Sequence, residues 1–223
     1  MRIFIVIPAY NEQGTIKEVI LDLKKHGFYN TIVVDDGSTD NTENEVRKFK
    51  GVILLKHIIN RGVGAATKTG IEAALLKNAD IIVTFDADGQ HKAEDIKKVI
   101  KPILKKGASA VIGSRTHDKN MPFIRIIFNK IGNILTFLMF GIMVSDSQSG
   151  LRAFSRKAAQ KIKIKCNGYE VSSEIIKEIA DHKLRLKEVP IQAIYTPYSL
   201  SRGQSLGKGV RTAFCLILRK IVG

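Results

Sequence analysis

Ile81-Ile82-Val83-Thr84-Phe85 runs directly into Asp86-Ala87-Asp88-Gly89-Gln90. An unbroken run of apolar and β-branched residues predicts a strand buried on both faces. Asp and Gly are ordinary turn residues, so a solvated turn is the plainest reading of Asp86–Gln90. Residues two apart at a strand's end, however, point the same way, so both carboxylates can face one ion. Hard oxygen ligands suit Mg²⁺ or Mn²⁺, which bind through one or two carboxylates together with substrate phosphates.

The same pattern recurs on either side. Strands are predicted at Arg2–Ile7, Thr31–Val34, Val52–Lys56 and Ala110–Gly113, with helices at about 14–25, 41–49, 64–77 and 93–105 between them. Strands separated by helical stretches imply right-handed crossovers and an α/β fold, its mostly parallel sheet covered on both faces. Ligands of such sheets bind at the carboxyl ends of the strands. Pro8-Ala9-Tyr10-Asn11-Glu12 follows the first strand and Asp35-Asp36-Gly37-Ser38 the second, so three unusual clusters share one edge with Asp86 and Asp88. Helix capping accounts for Thr39 or Asp40 but leaves Asp35 and Asp36, either of which could accept a base N–H or a ribose hydroxyl.

Asn60-Arg61-Gly62-Val63-Gly64-Ala65-Ala66-Thr67-Lys68-Thr69 misses both the phosphate-loop and the dinucleotide patterns at Thr67. It reads instead as a tight glycine loop opening a helix near the ligand edge. His26, His57, His91, His117 and His182 lack ligand spacing and read as structural or surface groups, His91 drawing notice only for its closeness to Asp88. Cys166 and Cys215 give neither a disulfide framework nor a metal quartet.

Lys and Arg number 36 against 21 Asp and Glu, a formal charge of +15 in 223 residues. Such a surplus points to a polyanionic neighbour: nucleic acid, an anionic membrane or phosphorylated ligands. Absence of Trp and only 7% aromatic residues argue against nucleic acid, for which no stacking motif is present. The apolar run Ile3–Ile7 is too short, and too closely followed by Pro8 and Glu12, for a signal peptide, so a cytoplasmic setting is expected. The second half is greasier. Residues 121–144 are largely apolar, and fifteen uncharged residues separate Lys130 from Asp146, short of the ~20 a membrane span needs. Helices near 155–163 and 171–181, an extended pair near 185–195 and a basic amphipathic helix within 201–223 complete the expectation. Two such helices suit a headgroup plane better than a span.

Taken together, Val6–Glu12, Val33–Asp40, the Asn60–Ala66 loop and Asp86–His91 resemble the family 2 inverting glycosyltransferases. Gly113-Ser114-Arg115, Asp146-Ser147-Gln148-Ser149-Gly150-Leu151-Arg152, and Gly168-Tyr169 leading to Glu174 extend the likeness to the dolichol-phosphate mannosyltransferase and polyprenyl-phosphate glycosyltransferase group. The resemblance covers roughly residues 1–200 and implies a GT-A fold, with a nucleotide-sugar half (1–115) and an acceptor half (116–200). It implies that Pro8, Tyr10, Glu12 and Asp36 hold the nucleoside, that Asp86 faces sugar and ribose, and that Asp88 and Gln90, beside Asp86, hold Mg²⁺ or Mn²⁺. Arg115 would meet the transferring sugar and the acceptor phosphate, with Arg152 nearby. Arg125 and Asn129, four apart and so on one helix face, resemble an Arg–Ser pair gripping a lipid phosphate, with Asn in place of Ser.

The expected activity is transfer of a hexose or N-acetylhexosamine from a GDP- or UDP-linked donor to a polyprenyl phosphate at an anionic membrane surface. A soluble sugar acceptor is the alternative. It needs a carboxylate base, for which Glu174 or Asp146 would serve. A non-enzymatic nucleotide- or nucleic-acid-binding protein is the remote one.

Overall fold

The computed structural model describes residues 1–116, 127, 130, 131, 133, 134, 137 and 141–194. Seven strands form one sheet in the order β3-β2-β1-β4-β6-β5-β7. They are β1 (Ile3–Ala9), β2 (Thr31–Asp35), β3 (Ile53–Lys56), β4 (Ile81–Thr84), β5 (Ala110–Ser114), β6 (Arg152–Ser155) and β7 (Leu186–Pro190). The helices are α1 (Ile16–Lys25), α2 (Thr42–Arg47), α3 (Val63–Leu76), α4 (Asp95–Leu104), α5 (Arg156–Lys161) and α6 (Val171–Asp181). All pairings are parallel except those of β6, which runs antiparallel to both β4 and β5.

Strand alternation sorts the core into two layers. Ile5, Ile7, Val33 and Val83 pack with Ile16, Ile20, Leu23, Ile96 and Val99 of α1 and α4. Phe4, Val6, Ile32, Val34 and Ile82 pack on the opposite face with α3, α5 and α6 through Ile71, Ala158 and Ile175. Each fully buried large side chain contributes roughly 1.5–3 kcal/mol. Gly70 sits where α3 crosses β1, and a Cβ there would stand 2.2 Å from Val6 Cγ1. That close approach buries the helix flat on the sheet.

Two expectations change. The extended pair near 185–195 is one strand, β7, parallel to β5, followed by an isolated bridge between His91 and Ala193. The helix expected near 155–163 is α5, and just ahead of it Arg152–Ser155 forms a strand not expected there, β6, inserted between β4 and β5. Arg152 opens that strand, an unusual residue for a buried position, and this hid it. Helix α2 starts after Asn41, and Asp40 serves it from outside by accepting the Thr42 N–H at 2.9 Å. Among the described residues no helix is long and apolar enough to cross a membrane. Arg125, Asn129, His117, Cys215 and the expected helix within 201–223 lie outside the described residues.

Candidate active site

The loops after β1 and β2 are stitched together at the carboxyl edge. Asn11, in the left-handed region at φ 54°, donates its N–H to Ser38 Oγ at 2.9 Å and accepts the Thr39 N–H on Oδ1 at 2.8 Å. Asn tolerates that backbone region better than most residues. The Glu12 N–H reaches Thr42 Oγ1 at 2.8 Å, and the Gln13 N–H reaches Asp40. Glu12 is buried while Tyr10 remains 40% exposed, so an aromatic face borders a fixed, polar-lined edge.

Asp35 and Asp36 are both buried and both employed. Asp35 Oδ1 accepts the Ser38 N–H at 3.0 Å, and its Oδ2 has no partner. Asp36 takes the His57 Nδ1–H at 2.6 Å, the Arg61 N–H at 3.0 Å and the Gly62 N–H at 2.7 Å. His57 is thereby structural, its other nitrogen lying 3.0 Å from Thr69 Oγ1. The glycine loop is thus anchored by Asp36 at one end. At the other, the Asn167 carbonyl accepts the Gly64 N–H at 2.7 Å, so the start of α3 is filled by protein rather than open to a phosphate. A Cβ on Gly62 or Gly64 would stand 2.3 or 2.2 Å from the carbonyl oxygens of Asn167 and Cys166.

At the end of β4 the two carboxylates have different surroundings. The β4–β6 register pairs Thr84 with Arg152, and continuing it places Gly150 opposite Asp86. A Cβ on Gly150 would stand 2.1 Å from both Asp86 oxygens, so any side chain there would displace the carboxylate. His91, whose side chain is fully buried, donates from Nε2 to Asp86 Oδ2 at 3.0 Å, and its ring lies edge-on to Phe85. Its Nδ1 has no partner. Burial pushes the Asp86 carboxyl up, but the His91 hydrogen bond and charge, with Arg115 and Arg152 behind them, outweigh it and hold it below the usual range. Asp88 is pushed up to about 6 by burial and by the charge of Asp86. Gln90 is buried, its N–H bonded to Asp88 Oδ1 and its carbonyl to the Ile194 N–H.

Among the described residues no cluster of three His, Cys, Asp or Glu could cage a metal. Two adjacent carboxylates, one disfavoured as an anion by the other, are instead the donor set for a hard cation that takes its remaining ligands from a diphosphate. Asp86 and Asp88 fit that role, with Gln90 beside them.

On the far side of Gly150, Arg115 follows β5. Asp146, wholly buried, accepts from Arg115 Nε at 2.8 Å, Nη2 at 2.9 Å and the backbone N–H at 3.0 Å. Burial opposes ionisation of Asp146, yet Arg115 holds its carboxyl below the ordinary range. Arg152 lies inside the fold, pushed down to about 10 by burial, and donates to the carbonyls of Ser149, Ser147 and Ser172. It braces the 147–151 turn. Glu174 Oε2 accepts the Lys165 and Cys166 N–H groups at 3.0 and 2.8 Å. The structure therefore gathers Glu12, Asp36, Asp86, Asp88, Gln90 and Arg115 on one edge with Pro8 and Tyr10. Sequence reasoning missed His91, Gly150 and the bracing functions of Asp36, Asp146 and Arg152. The closeness of His91 to Asp88 and its place at the end of the Asp86–His91 motif were the cues to the first.

Known proteins share this fold. A solved glucosyl-3-phosphoglycerate synthase from Mycobacterium tuberculosis, in complex with Mn²⁺, uridine diphosphate and glucosyl-3-phosphoglycerate, superposes with a TM-score of 0.78 at 22% identity, covering 98% of this chain and 79% of that one. The likeness at this identity concerns the fold, which is GT-A. A UDP-N-acetylglucosamine–dolichyl-phosphate N-acetylglucosaminyltransferase of Methanococcus voltae is 41% identical over 98% of this chain and 96% of its own. A polyprenol monophosphomannose synthase of Mycolicibacterium smegmatis is 27% identical over 95% of this chain and 84% of its own. The sequence model of glycosyl transferase family 2 matches residues 4–163, well over half of the chain. The chain belongs to glycosyl transferase family 2.

Proposed function

We propose that the protein transfers a sugar, with inversion, from a nucleotide diphosphate sugar to a polyprenyl phosphate at the cytoplasmic face of an anionic membrane. A UDP-linked N-acetylhexosamine is the first donor to test, in line with the 41% identical relative. One observation favours this acceptor over a soluble sugar. Both carboxylates offered as bases are committed, Asp146 to Arg115 and Glu174 to two backbone N–H groups. A sugar hydroxyl needs a base. A phosphate monoester, with its second pKa near ~6, is already an anionic nucleophile at neutral pH.

In this reading Tyr10, Pro8, Glu12 and Asp36 border the nucleoside, and Asp86 faces the ribose and sugar. Arg115, held rigid by Asp146, meets the acceptor phosphate, and Arg125 with Asn129 completes that grip. An acceptor phosphate oxygen attacks the anomeric carbon as its bond to the diphosphate breaks, and the nucleoside diphosphate departs. Asp86 and Asp88, with Gln90 beside them, would hold Mg²⁺ or Mn²⁺, whose chemistry there would be charge neutralisation for the leaving diphosphate. Positioning and electrostatics carry the rest.

Purified protein incubated with UDP-N-acetylglucosamine, undecaprenyl phosphate and Mn²⁺ is expected to yield lipid-linked sugar, and excess EDTA to abolish it. Equal transfer to a soluble sugar, or full activity in EDTA, counts against the reading.

A further inference from the structure

Among the described residues of the apolar stretch before Asp146, Asn133 is a polar side chain whose contacts run inward. Asn133 is helical and part-buried, and its amide makes two hydrogen bonds to a single loop. Its Nδ2 donates to the Ser145 carbonyl at 2.6 Å, and its Oδ1 accepts the Ser147 N–H at 2.9 Å. Those two backbone groups flank Asp146, the residue that holds Arg115 by three hydrogen bonds. From the other side Glu188 of β7 accepts from the Ser145 N–H and hydroxyl, both at 2.8 Å. The loop is clamped between a strand of the sheet and a helix. The helical positions Ile127, Ile131, Ile134 and Phe137 are meanwhile 38–58% exposed.

We propose that Asn133 is a positioning residue for acceptor binding, setting Arg115 through the backbone on either side of Asp146. The inference rests on the reading of Arg115 as the group that meets the acceptor phosphate. Asn suits the task because one planar amide carries both a donor and an acceptor. Asp lacks the donor, and an aliphatic residue lacks both. A helix position that served only an apolar surface would gain nothing from the amide. Loss of the clamp leaves Asp146 and Arg115 paired but frees the pair to drift together, which weakens the acceptor's contact and leaves the β1, β2 and β4 loops untouched.

The test compares full-length Asn133→Ala, Arg115→Lys and the double variant, with UDP-N-acetylglucosamine as donor and farnesyl phosphate as the acceptor probe. Asn133→Ala is expected to raise the acceptor KM roughly tenfold, as for two lost neutral hydrogen bonds, with the donor KM within about twofold. On the Arg115→Lys background it should add little, since coupled residues are not additive. An unchanged acceptor KM in Asn133→Ala while Arg115→Lys raises it overturns this proposal alone. So does an equal rise in both KM values, or full additivity in the double variant. If Arg115→Lys leaves the acceptor KM unchanged, the role given to Arg115 fails and this inference fails with it. Asn133→Ser, a smaller change, serves if the alanine variant does not fold.

Discussion

His91 donates from Nε2 to Asp86 Oδ2 across 3.0 Å, with its side chain fully buried while that of Asp86 is 37% exposed. A closed residue therefore aims an open one. The hydrogen bond fixes one oxygen of the carboxylate, and the backbone of Gly150 packs so closely beside it that a Cβ there would stand 2.1 Å from both oxygens.

Replacing His91 tests the first constraint. Groups that orient a ligating carboxylate typically account for about 10–100-fold in metal affinity or activity. His91→Ala is expected to lose that much in kcat/KM with Mn²⁺ present. His91→Gln, whose amide can donate from a similar place, should recover part of it. Equal activity in wild type and the alanine variant would show that Asp86 needs no such guide.

Gly150 tests the second. An added methyl would stand 2.1 Å from the Asp86 carboxylate, and the Gly150 carbonyl is itself held by Thr84 Oγ1 at 2.8 Å. The backbone cannot retreat freely, so the carboxylate must move. Gly150→Ala is expected to reduce turnover by about 10²-fold or more, the scale for a displaced catalytic group, while circular dichroism stays native. Near-normal turnover would place Asp86 outside the reaction.

Both residues also mark the limit of what was legible in the sequence. Runs such as Ile81–Phe85 and Ile3–Ile7 carry enough apolar, β-branched character to reveal strands, and the acidic residues after them revealed the edge. Asp86, Asp88 and Asp36 draw notice because they cluster at the carboxyl ends of predicted strands, and Arg115 because Gly113-Ser114-Arg115 resembles a family motif. His91 draws notice only for its closeness to Asp88 and Gly150 only as part of the Asp146–Arg152 motif, so the role of neither is legible there. Their importance comes from the β4–β6 pairing, and β6 itself was hidden because Arg152 opens it. Nothing beside Asp36 in the sequence shows that its carboxylate is engaged, because its partners Arg61 and Gly62 lie some 25 residues away on another loop.

Asp88 carries a pH signature. Its carboxyl is pushed up to about 6 by burial and by Asp86, above the unfolded value. Its stabilising contribution to the metal-free protein is therefore present at low pH and lost as pH rises through about 6. Cation binding needs the ionised form. Mn²⁺ should raise the Tm more at about pH 7.5 than at about pH 5, and Asp88→Asn should flatten the difference. The same Mn²⁺ shift at both pH values would exclude Asp88 as a ligand.

Asp36 should matter to stability as well as to the donor. Asp36→Ala leaves the Arg61 and Gly62 N–H groups and His57 without their acceptor. Unsatisfied buried donors cost about 1–3 kcal/mol, which in a chain of this size lowers the Tm by several degrees. Donor affinity by calorimetry should fall with it, since the glycine loop borders the same edge. An unchanged Tm would mean that the loop holds its place without Asp36.

The membrane reading can be tested on described residues alone. Ile127, Ile131 and Ile134 follow helical spacing and are 38, 48 and 58% exposed, with Phe137 at 44% beside them. Four large apolar groups on one side of a helix are more than an ordinary soluble surface presents together. Full burial in a lipid interface contributes up to ~1.5–3 kcal/mol per side chain, so about half of that is available to side chains already half covered. A net charge of +15 adds attraction to anionic headgroups, about 1 kcal/mol for each Lys or Arg that reaches them. The protein is expected to sediment with vesicles of equal phosphatidylglycerol and phosphatidylcholine, and to be released by high salt combined with detergent rather than by either alone. Changing Ile131 and Ile134 together to Asp should weaken sedimentation at least tenfold, a loss of roughly 1.4 kcal/mol or more, without altering binding of the sugar nucleotide. Wild-type protein that stays in the supernatant at low salt, or a double variant that sediments as well as wild type, would remove this helix from the membrane contact.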